Sequence, residues 1–381
     1  MRFESTQEQA MIAETLDRLL NELWDKSRAH EPGARHMMRE AVWLRLGELG
    51  LLGAVLPERW GGIDGGPGEC LAMARVVGRH AADLPVLSGV MMAAGALLEL
   101  DGSALPFPPE AIGAGSVRLA LGVLETERRF ATDPRRLRAM ADGDGWRLDG
   151  AKQHVLDGTD AHWWVVSAAI GDGPVAETGL FIVAADAAGA TSTAYPAVGG
   201  ARLAHLRMDS VRVSGAALLA RGAPADDAIE RAMRRARFWA CGEVLGGCEA
   251  ALAQTIDYLR IREQFGRTLA SFQALQHRLA DAHAELELLR SQVLGARLAL
   301  EEDPAGARSA CDLAAACAMA AEVGDLIGRE AIQLHGAIGM TQELGVGRYL
   351  MRNDFLWRLL GDGQFQRERL LAALPAIEAL A

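Results

Sequence analysis

The 381-residue sequence is poor in the features that mark several classes of protein. Its 39 lysines and arginines are outnumbered by 50 aspartates and glutamates, which gives a formal net charge of −11 at pH 7. A nucleic-acid-binding surface would need a basic surplus instead. The five cysteines form no C-x-x-C pair, so we predict no disulfide framework and interpret them as small buried side chains in a reducing compartment.

Long apolar runs are also lacking. The longest nearly apolar stretch, residues 84–98, is shorter than the roughly 18 residues that a membrane-spanning helix needs. The first residues are polar and acidic, whereas a signal peptide has an apolar core. We therefore expect no membrane span and a cytoplasmic protein.

Familiar catalytic and metal-binding patterns are missing as well. His277, Asp281 and Glu285 recur every four residues, a spacing that is more typical of a solvated helix face than of metal ligands, so no metal site is predicted. No segment resembles the strand-turn-helix of a nucleophile elbow. The glycines at 61–62 and 65–68 do not form a GxGxxG fingerprint after a strand.

The chain divides into three blocks that differ in the spacing of their apolar residues. Helical periodicity runs to about residue 100, short β-like runs separated by glycine and aspartate occupy residues 116–219, and helical periodicity returns from residue 224. This order predicts an α+β protein with an N-terminal all-α domain (1–114), a middle antiparallel β-domain (115–222) and a C-terminal four-helix-bundle-type domain (223–381). Residues 225–262 and 271–300 are each predicted as one long helix, with a break at Asp303-Pro304.

Two segments in the last helical block have the chemistry of a nucleotide site. Residues 258–266 read YLRIREQFG, and residues 333–339 read QLHGAIG. Arg262 at the end of a long helix offers a cation for a pyrophosphate, and the small residues Gly336 and Ala337 allow close approach of the backbone. With the order of the three blocks, these segments resemble the acyl-CoA dehydrogenase family of flavoproteins over essentially the whole chain.

This resemblance implies FAD as cofactor, an acyl-CoA as substrate and electron-transfer flavoprotein as electron acceptor. It also implies a homo- or hetero-oligomer, a dimer or tetramer, because a neighbouring subunit shares the FAD in this family. The β-domain is expected to be the family's β-barrel. The residues that the resemblance assigns to FAD are Arg262, Phe265, Gln273, Gln333, Gly336, Ala337, Glu125, His154 and Leu156. Arg237 matches the family's substrate-side arginine.

The β-domain departs from the family pattern in two places. Residues 124–133 keep Glu125 but lose the Gly-Ser pair that serves the cofactor and the thioester in the family. Leu156 stands where a serine or threonine commonly contacts the flavin. The segment 150–158 nevertheless resembles the strand that runs along the isoalloxazine ring.

The largest departure concerns the catalytic base, a glutamate that removes the α-proton while the β-hydrogen leaves as hydride. Counting forward from Arg352, the family's glutamate position falls on Gly361, and counting back from Arg367 it falls on Leu360. Some members carry the base on the long helix instead, at a place that Ala236 holds here. None of these residues is an acid.

Two explanations remain. Asp362 is a shifted base on a glycine-flanked loop, or the chain is the base-free subunit of a heteromeric enzyme that acts on steroid side chains or other bulky thioesters. A one-residue shift would displace a carboxylate by more than about 3 Å, which proton transfer tolerates poorly. A third possibility is another flavin oxidation on the same fold, as in nitroalkane oxidases and flavin hydroxylases.

Overall fold

A computed structural model of the chain describes residues 5–25, 28–98, 100, 105–126, 128–134, 136–171 and 176–378. The chain forms two compact units. The first, which is helical, contains Met1–Arg45, Gly65–Leu84 and Arg237–Ala381; the second, which contains the β-sheet, comprises Leu46–Asp64 and Pro85–Ala236. The predicted domain boundaries at residues 114 and 222 stay predictions.

The α-helices of the described chain confirm the two long helices expected from periodicity. They are α1 (Gln7–Leu23), α2 (Pro32–Glu48), α3 (Pro67–Arg79), α4 (Gly95–Leu97), α5 (Glu110–Gly113), α6 (Ala223–Ile261), α7 (Gln273–Glu302), α8 (Ala307–His335), α9 (Gly347–Leu360) and α10 (Gly363–Glu378). Before α4 the chain forms a buried π-helix, Val86–Ala94, which the sequence did not indicate. None of the helices in the described ranges is both long and apolar enough to cross a membrane.

Helix α8 is the centre of the helical unit, since it packs against α7, α9 and α10. Close approach of α3 and α6 depends on glycine. A Cβ atom at Gly78 would lie 1.9 Å from the Glu243 carbonyl oxygen, and one at Gly246 would lie 2.0 Å from the Arg75 carbonyl oxygen. Because such distances are far below van der Waals contact, any side chain there would push the two helices apart.

The second unit contains an eight-stranded, mostly antiparallel sheet, as predicted. Its strands are β1 (Leu119–Gly122), β2 (Arg138–Asp142), β3 (Gly145–Leu156), β4 (Trp163–Ile170), β5 (Glu177–Ala184), β6 (Ala190–Pro196), β7 (Arg202–Ser214) and β8 (Leu218–Arg221). The order is β6-β7-β3-β2-β4-β5-β8, and β1 and β2 both pair with β4 in parallel. Inward-facing residues such as Trp164, Phe181 and Leu206 form its apolar core.

All five cysteines are buried, in agreement with their interpretation as small apolar side chains. Within the ranges that the structure describes, no three His, Cys, Asp or Glu side chains lie together in a way that would hold a metal ion.

Candidate functional site

The first nucleotide segment forms a hairpin at the end of α6. The helix ends at Ile261, and two short strands, β9 (Glu263–Gln264) and β10 (Arg267–Thr268), pair antiparallel. Phe265 and Gly266 form the turn, with φ of 55° and 78°, as a two-residue type I′ turn requires. The Phe265 ring is 89% exposed and lies edge-on to Phe272. Phe265-Gly266 therefore forms a projecting turn instead of ending the helix itself.

The second segment lies at the end of α8. That helix ends at His335, and Gly336 reverses the chain with φ of 67° and ψ of −145°. Gln333, Gly336 and Ala337 are exposed. His335 itself is buried, and its Nδ1 atom lies 2.7 Å from the carbonyl oxygen of Ala331. The imidazole is thereby fixed against its own helix.

A ring stack joins the two segments. The Tyr258 ring lies 4.5 Å from the His335 ring, with 31° between their planes. The exposed groups of both segments, including Arg262 and Gln273, thus belong to one end of the helical unit. We call this region, formed by residues 258–273 and 333–337, the clamp end. Sequence reasoning identified both segments but not the stack that joins them.

A very different region lies at the end of α9. We call residues 359–363 the base loop. Leu360 is completely buried. Its carbonyl oxygen accepts hydrogen bonds from Arg237 Nε at 3.0 Å and from Gln366 Nε2 at 3.1 Å, and Gln366 Nε2 also lies 3.1 Å from the Gly361 carbonyl oxygen. The backbone of the loop is therefore held from within the protein.

Gly361 has no room for a side chain. Its φ is 114°, which favours glycine. A Cβ atom would lie 2.3 Å from the Phe365 ring and 2.6 Å from Gln366 Nε2. Of the two positions that match the family's base, Gly361 thus excludes any side chain in this conformation, and Leu360 is an apolar residue in the core.

Asp362 serves as a helix cap. Its Oδ1 atom accepts a hydrogen bond of 2.9 Å from the backbone N–H of Phe365, in the first turn of α10. A carboxylate in this position satisfies an otherwise unpaired donor and interacts favourably with the helix dipole. The assignment of Asp362 as a base remains a prediction, and this contact gives the side chain a structural role.

The structure brings Arg237 to the base loop. The side chain is buried, and besides its bond to Leu360 its guanidinium lies 5.7 Å from the centre of the Phe365 ring. Its predicted contact with substrate is not tested by these interactions. They do show that Arg237 holds the backbone at the end of α9.

A buried acid that sequence reasoning missed lies farther along α6. Glu243 accepts hydrogen bonds from Arg352 Nε at 2.7 Å and Nη2 at 3.0 Å, and a further one from the indole N–H of Trp239. These three donors hold the carboxylate in place and join α6 to α9. No local sequence signal marks this pairing, since Arg352 lies on α9.

In the sheet unit, Glu125 anchors the loop before β2. Its carboxylate accepts hydrogen bonds from the backbone N–H groups of Arg136 and Leu137 and from Lys152 Nζ, at 2.8, 3.1 and 2.7 Å. Burial raises the pKa of Glu125, but Lys152 and the two N–H groups outweigh it, so the pKa lies below its ordinary value. Burial also lowers the pKa of Lys152 to about 8, against the raising effect of Glu125. Glu127 in this loop lies outside the described residues, and a contact of Glu125 with FAD remains a prediction.

The strand expected to run beside the flavin ring is interrupted by a bulge. The pairing of β3 with β7 shifts by one residue between Lys152 and Val155, and His154 has a positive φ of 54°. His154 is exposed, while Leu156 is buried. Of the residues expected on this strand, His154 is therefore the one that offers polar atoms to a ligand.

Comparison with known protein families decides the identity of the fold. The acyl-CoA dehydrogenase N-terminal domain matches residues 6–105, and the acyl-CoA dehydrogenase C-terminal domain matches residues 226–374. The chain belongs to the acyl-CoA dehydrogenase family. It is thus classed with FAD-dependent oxidoreductases, as the two nucleotide segments predicted.

Individual members of the family are similar over nearly the full chain. Acyl-CoA dehydrogenase FadE27 of Mycobacterium tuberculosis is 29% identical over 347 residues, which cover 88% of this chain and 89% of that protein. The ChsE4-ChsE5 complex from Mycobacterium tuberculosis contains a chain that is 26% identical with a TM-score of 0.86, and the Tcur3481-Tcur3483 steroid ACAD contains one that is 28% identical with a TM-score of 0.84. Both alignments cover 98% of this chain and 99% of the other. The predicted order of helical, β and helical parts is confirmed.

Proposed function

We propose that this chain is the base-free subunit of a heteromeric, FAD-dependent acyl-CoA dehydrogenase, whose sister chain carries the catalytic carboxylate. The observation that carries this proposal is the base loop. Gly361 excludes a side chain, Leu360 is buried, and Asp362 caps α10. A general base must come within hydrogen-bond distance of the proton that it removes, and this loop offers no acid that is free to do so.

The groups at the clamp end fit the cofactor that the family uses. Bound FAD would supply the acceptor for the hydride. Arg262 would hold the pyrophosphate by charge-assisted hydrogen bonds, and the amides of Gln273 and Gln333 would add donors. The backbone at Gly336 and Ala337 is exposed and unobstructed, since a Cβ at Gly336 would meet nothing within 4 Å. Because the Tyr258–His335 stack joins both segments, one chain can present the whole set to an FAD shared with a neighbouring subunit.

Two features of relatives support a heteromer and a bulky substrate. The ChsE4-ChsE5 complex and the Tcur3481-Tcur3483 steroid ACAD each combine two differently named chains, and both resemble this chain along nearly its full length. We extend this to the present protein as a pairing with one sister chain and an acyl-CoA with a large acyl group, such as a steroid side chain. Electron-transfer flavoprotein is the acceptor that the family resemblance suggests.

Co-expression tests the pairing directly. The chain should be purified alone and with each acyl-CoA dehydrogenase-like chain from its own genome that retains the glutamate, followed by native mass spectrometry and measurement of FAD content. We expect a stable complex of two chain types that dehydrogenates an acyl-CoA. A homomer with full FAD content and full activity would exclude the base-free assignment and direct attention to Asp362.

A further inference from the structure

Three aromatic side chains form a cluster on the exposed face of the sheet unit. His154 lies at the bulge of β3, Tyr195 is on β6, and His205 is on β7. The Tyr195 ring stacks on the His205 ring at 4.4 Å with 23° between their planes, and it lies roughly perpendicular to the His154 ring. A bulge with a non-glycine residue in the left-handed region is uncommon and is associated with functional sites, because it redirects a side chain at some cost in backbone energy.

A hydrogen bond joins Tyr195 and His154 within this cluster. The Tyr195 hydroxyl lies 2.6 Å from His154 Nδ1. No other acceptor for this hydroxyl is found in the described parts of the chain. Burial lowers the pKa of His154, and His205 lowers it further. Burial raises the pKa of Tyr195, although the backbone N–H of His154 acts in the opposite direction. The distance of 2.6 Å is shorter than the usual range for an N–H donor and lies within the range for an O–H donor, which favours the Tyr195 hydroxyl as the donor to Nδ1.

The imidazole tautomer follows from that donation. A neutral histidine has one donor nitrogen and one acceptor nitrogen. Because Nδ1 accepts from Tyr195, the ring proton of His154 is on Nε2. Across the described ranges no protein group bonds to this Nε2 atom, and the residue is exposed. The face of β3 therefore presents one N–H donor with a fixed orientation to whatever binds there.

We propose that Tyr195 is a positioning residue, which holds His154 as the Nε2–H tautomer so that this donor faces the isoalloxazine ring of FAD. The proposal rests on the proposed function in one respect, which is that FAD reaches this β-domain. Bound FAD would carry more negative charge on its ring after reduction, and a fixed N–H donor on His154 would stabilise that charge. Tyr195 thus acts on the cofactor through His154, without contacting it.

The tautomer can be measured without any turnover. Histidine labelled with ¹⁵N in the purified full-length chain reports which ring nitrogen carries the proton, and His154→Gln assigns the signal among the nine histidines. We expect the Nε2–H tautomer in the unmodified chain and a mixture of tautomers in Tyr195→Phe, which keeps the ring stack but removes the hydroxyl. His283→Gln, on the exposed surface of α7, is the matched control and should leave the His154 signal unchanged. A proton on Nδ1, or no change in Tyr195→Phe, would overturn the proposal.

The midpoint potential of the bound flavin tests whether the His154 donor acts on the cofactor. Tyr195→Phe and His154→Gln should each shift it to more negative values, while His283→Gln should not. An unchanged potential despite the expected tautomer, or a heteromer in which no FAD is associated with this chain's β-domain, would also overturn the proposal. The proposed heteromeric function is judged separately, by whether the complex with the sister chain dehydrogenates an acyl-CoA.

Discussion

The clamp end and the base loop belong to the same helical unit, yet their polar groups are arranged in opposite ways. At the clamp end, Arg262, Gln273 and Gln333 are exposed, and Phe265 projects from a tight turn. At the base loop, the carbonyl oxygen of Leu360 accepts from two side chains, Asp362 caps a helix, and Gly361 is enclosed by Phe365 and Gln366. The first region is arranged for an external ligand, and the second is satisfied by the protein itself.

The two positions predicted for the family's glutamate differ in their surroundings from the clamp end, since Leu360 lies in the core and Gly361 is enclosed. A glutamate replaced only by a small residue would leave polar partners or a cavity behind. Here a leucine fills the core, and Arg237 and Gln366 bind its carbonyl oxygen. Placing a glutamate at either position therefore requires more than one substitution.

The largest effect is expected from Gly361→Ala. The added methyl group meets the Phe365 ring at a distance that neither can keep, and the φ of 114° is unfavourable for alanine. We expect a loss of more than about 2 kcal/mol in the free energy of unfolding, measured by urea denaturation. Gly295→Ala is the matched control, because it lies inside α7 with no atom within 4 Å of its Cβ position, and it should stabilise the chain by about 0.5–1 kcal/mol. Equal results for the two would show that the base loop is not enclosed.

A smaller but selective effect is expected from Arg262→Ala. Because the guanidinium is exposed, the free energy of unfolding should change by less than about 0.5 kcal/mol. The affinity for FAD, measured by equilibrium titration of the heteromer, should fall by about tenfold or more, since a charge-assisted contact to a phosphate contributes about 1.5–3 kcal/mol. Arg260→Ala, two residues earlier on the same exposed stretch, should leave FAD affinity unchanged. Equal losses in both variants would point to general charge effects.

Asp362 separates the two interpretations of the base loop. Asp362→Ala should cost about 1 kcal/mol of stability through loss of the cap on α10. Asp362→Asn should cost little, because asparagine also caps helices well. Both variants should leave the rate of acyl-CoA-dependent flavin reduction by the heteromer unchanged at a temperature where they are folded. A large loss of rate in Asp362→Asn would make Asp362 the base.

The smallest effect on stability is expected from Phe265→Ser. The ring is almost fully exposed, so its removal should change the free energy of unfolding by less than about 0.5 kcal/mol. The population of heteromer and its FAD content should nevertheless fall, which native mass spectrometry would detect. Unchanged assembly and FAD content would mean that the projecting hairpin does not contribute to the shared site.

Much of the fold follows from local patterns in the sequence. The two long helices and the break after the second one were predicted because apolar periodicity and Asp303-Pro304 act over a few residues. The antiparallel sheet was predicted from short runs separated by turn residues. The π-helix at Val86–Ala94 was not, since an apolar stretch without polar faces gives no signal that separates one helix type from another.

Residues of the candidate site could be proposed from the sequence where they lie close together along the chain. Arg262, Phe265 and Gly336 lie in short segments that keep their spacing. The contacts that define the base loop join distant parts of the chain, such as Arg237 on α6 and Leu360 at the end of α9, so no spacing rule could reveal them. Glu125 shows the same limit, because it lies in a loop and its partner Lys152 is 27 residues later, on β3.

The most direct test of the base-free assignment is an anaerobic titration of the FAD-loaded chain alone with short, long and steroid-like acyl-CoAs, followed by flavin absorbance. If no carboxylate of the base loop serves as the base, the oxidised flavin spectrum should persist with every thioester, and bleaching should appear only when the glutamate-bearing sister chain is added. Rapid bleaching of the chain alone, at one FAD per subunit, would contradict this assignment.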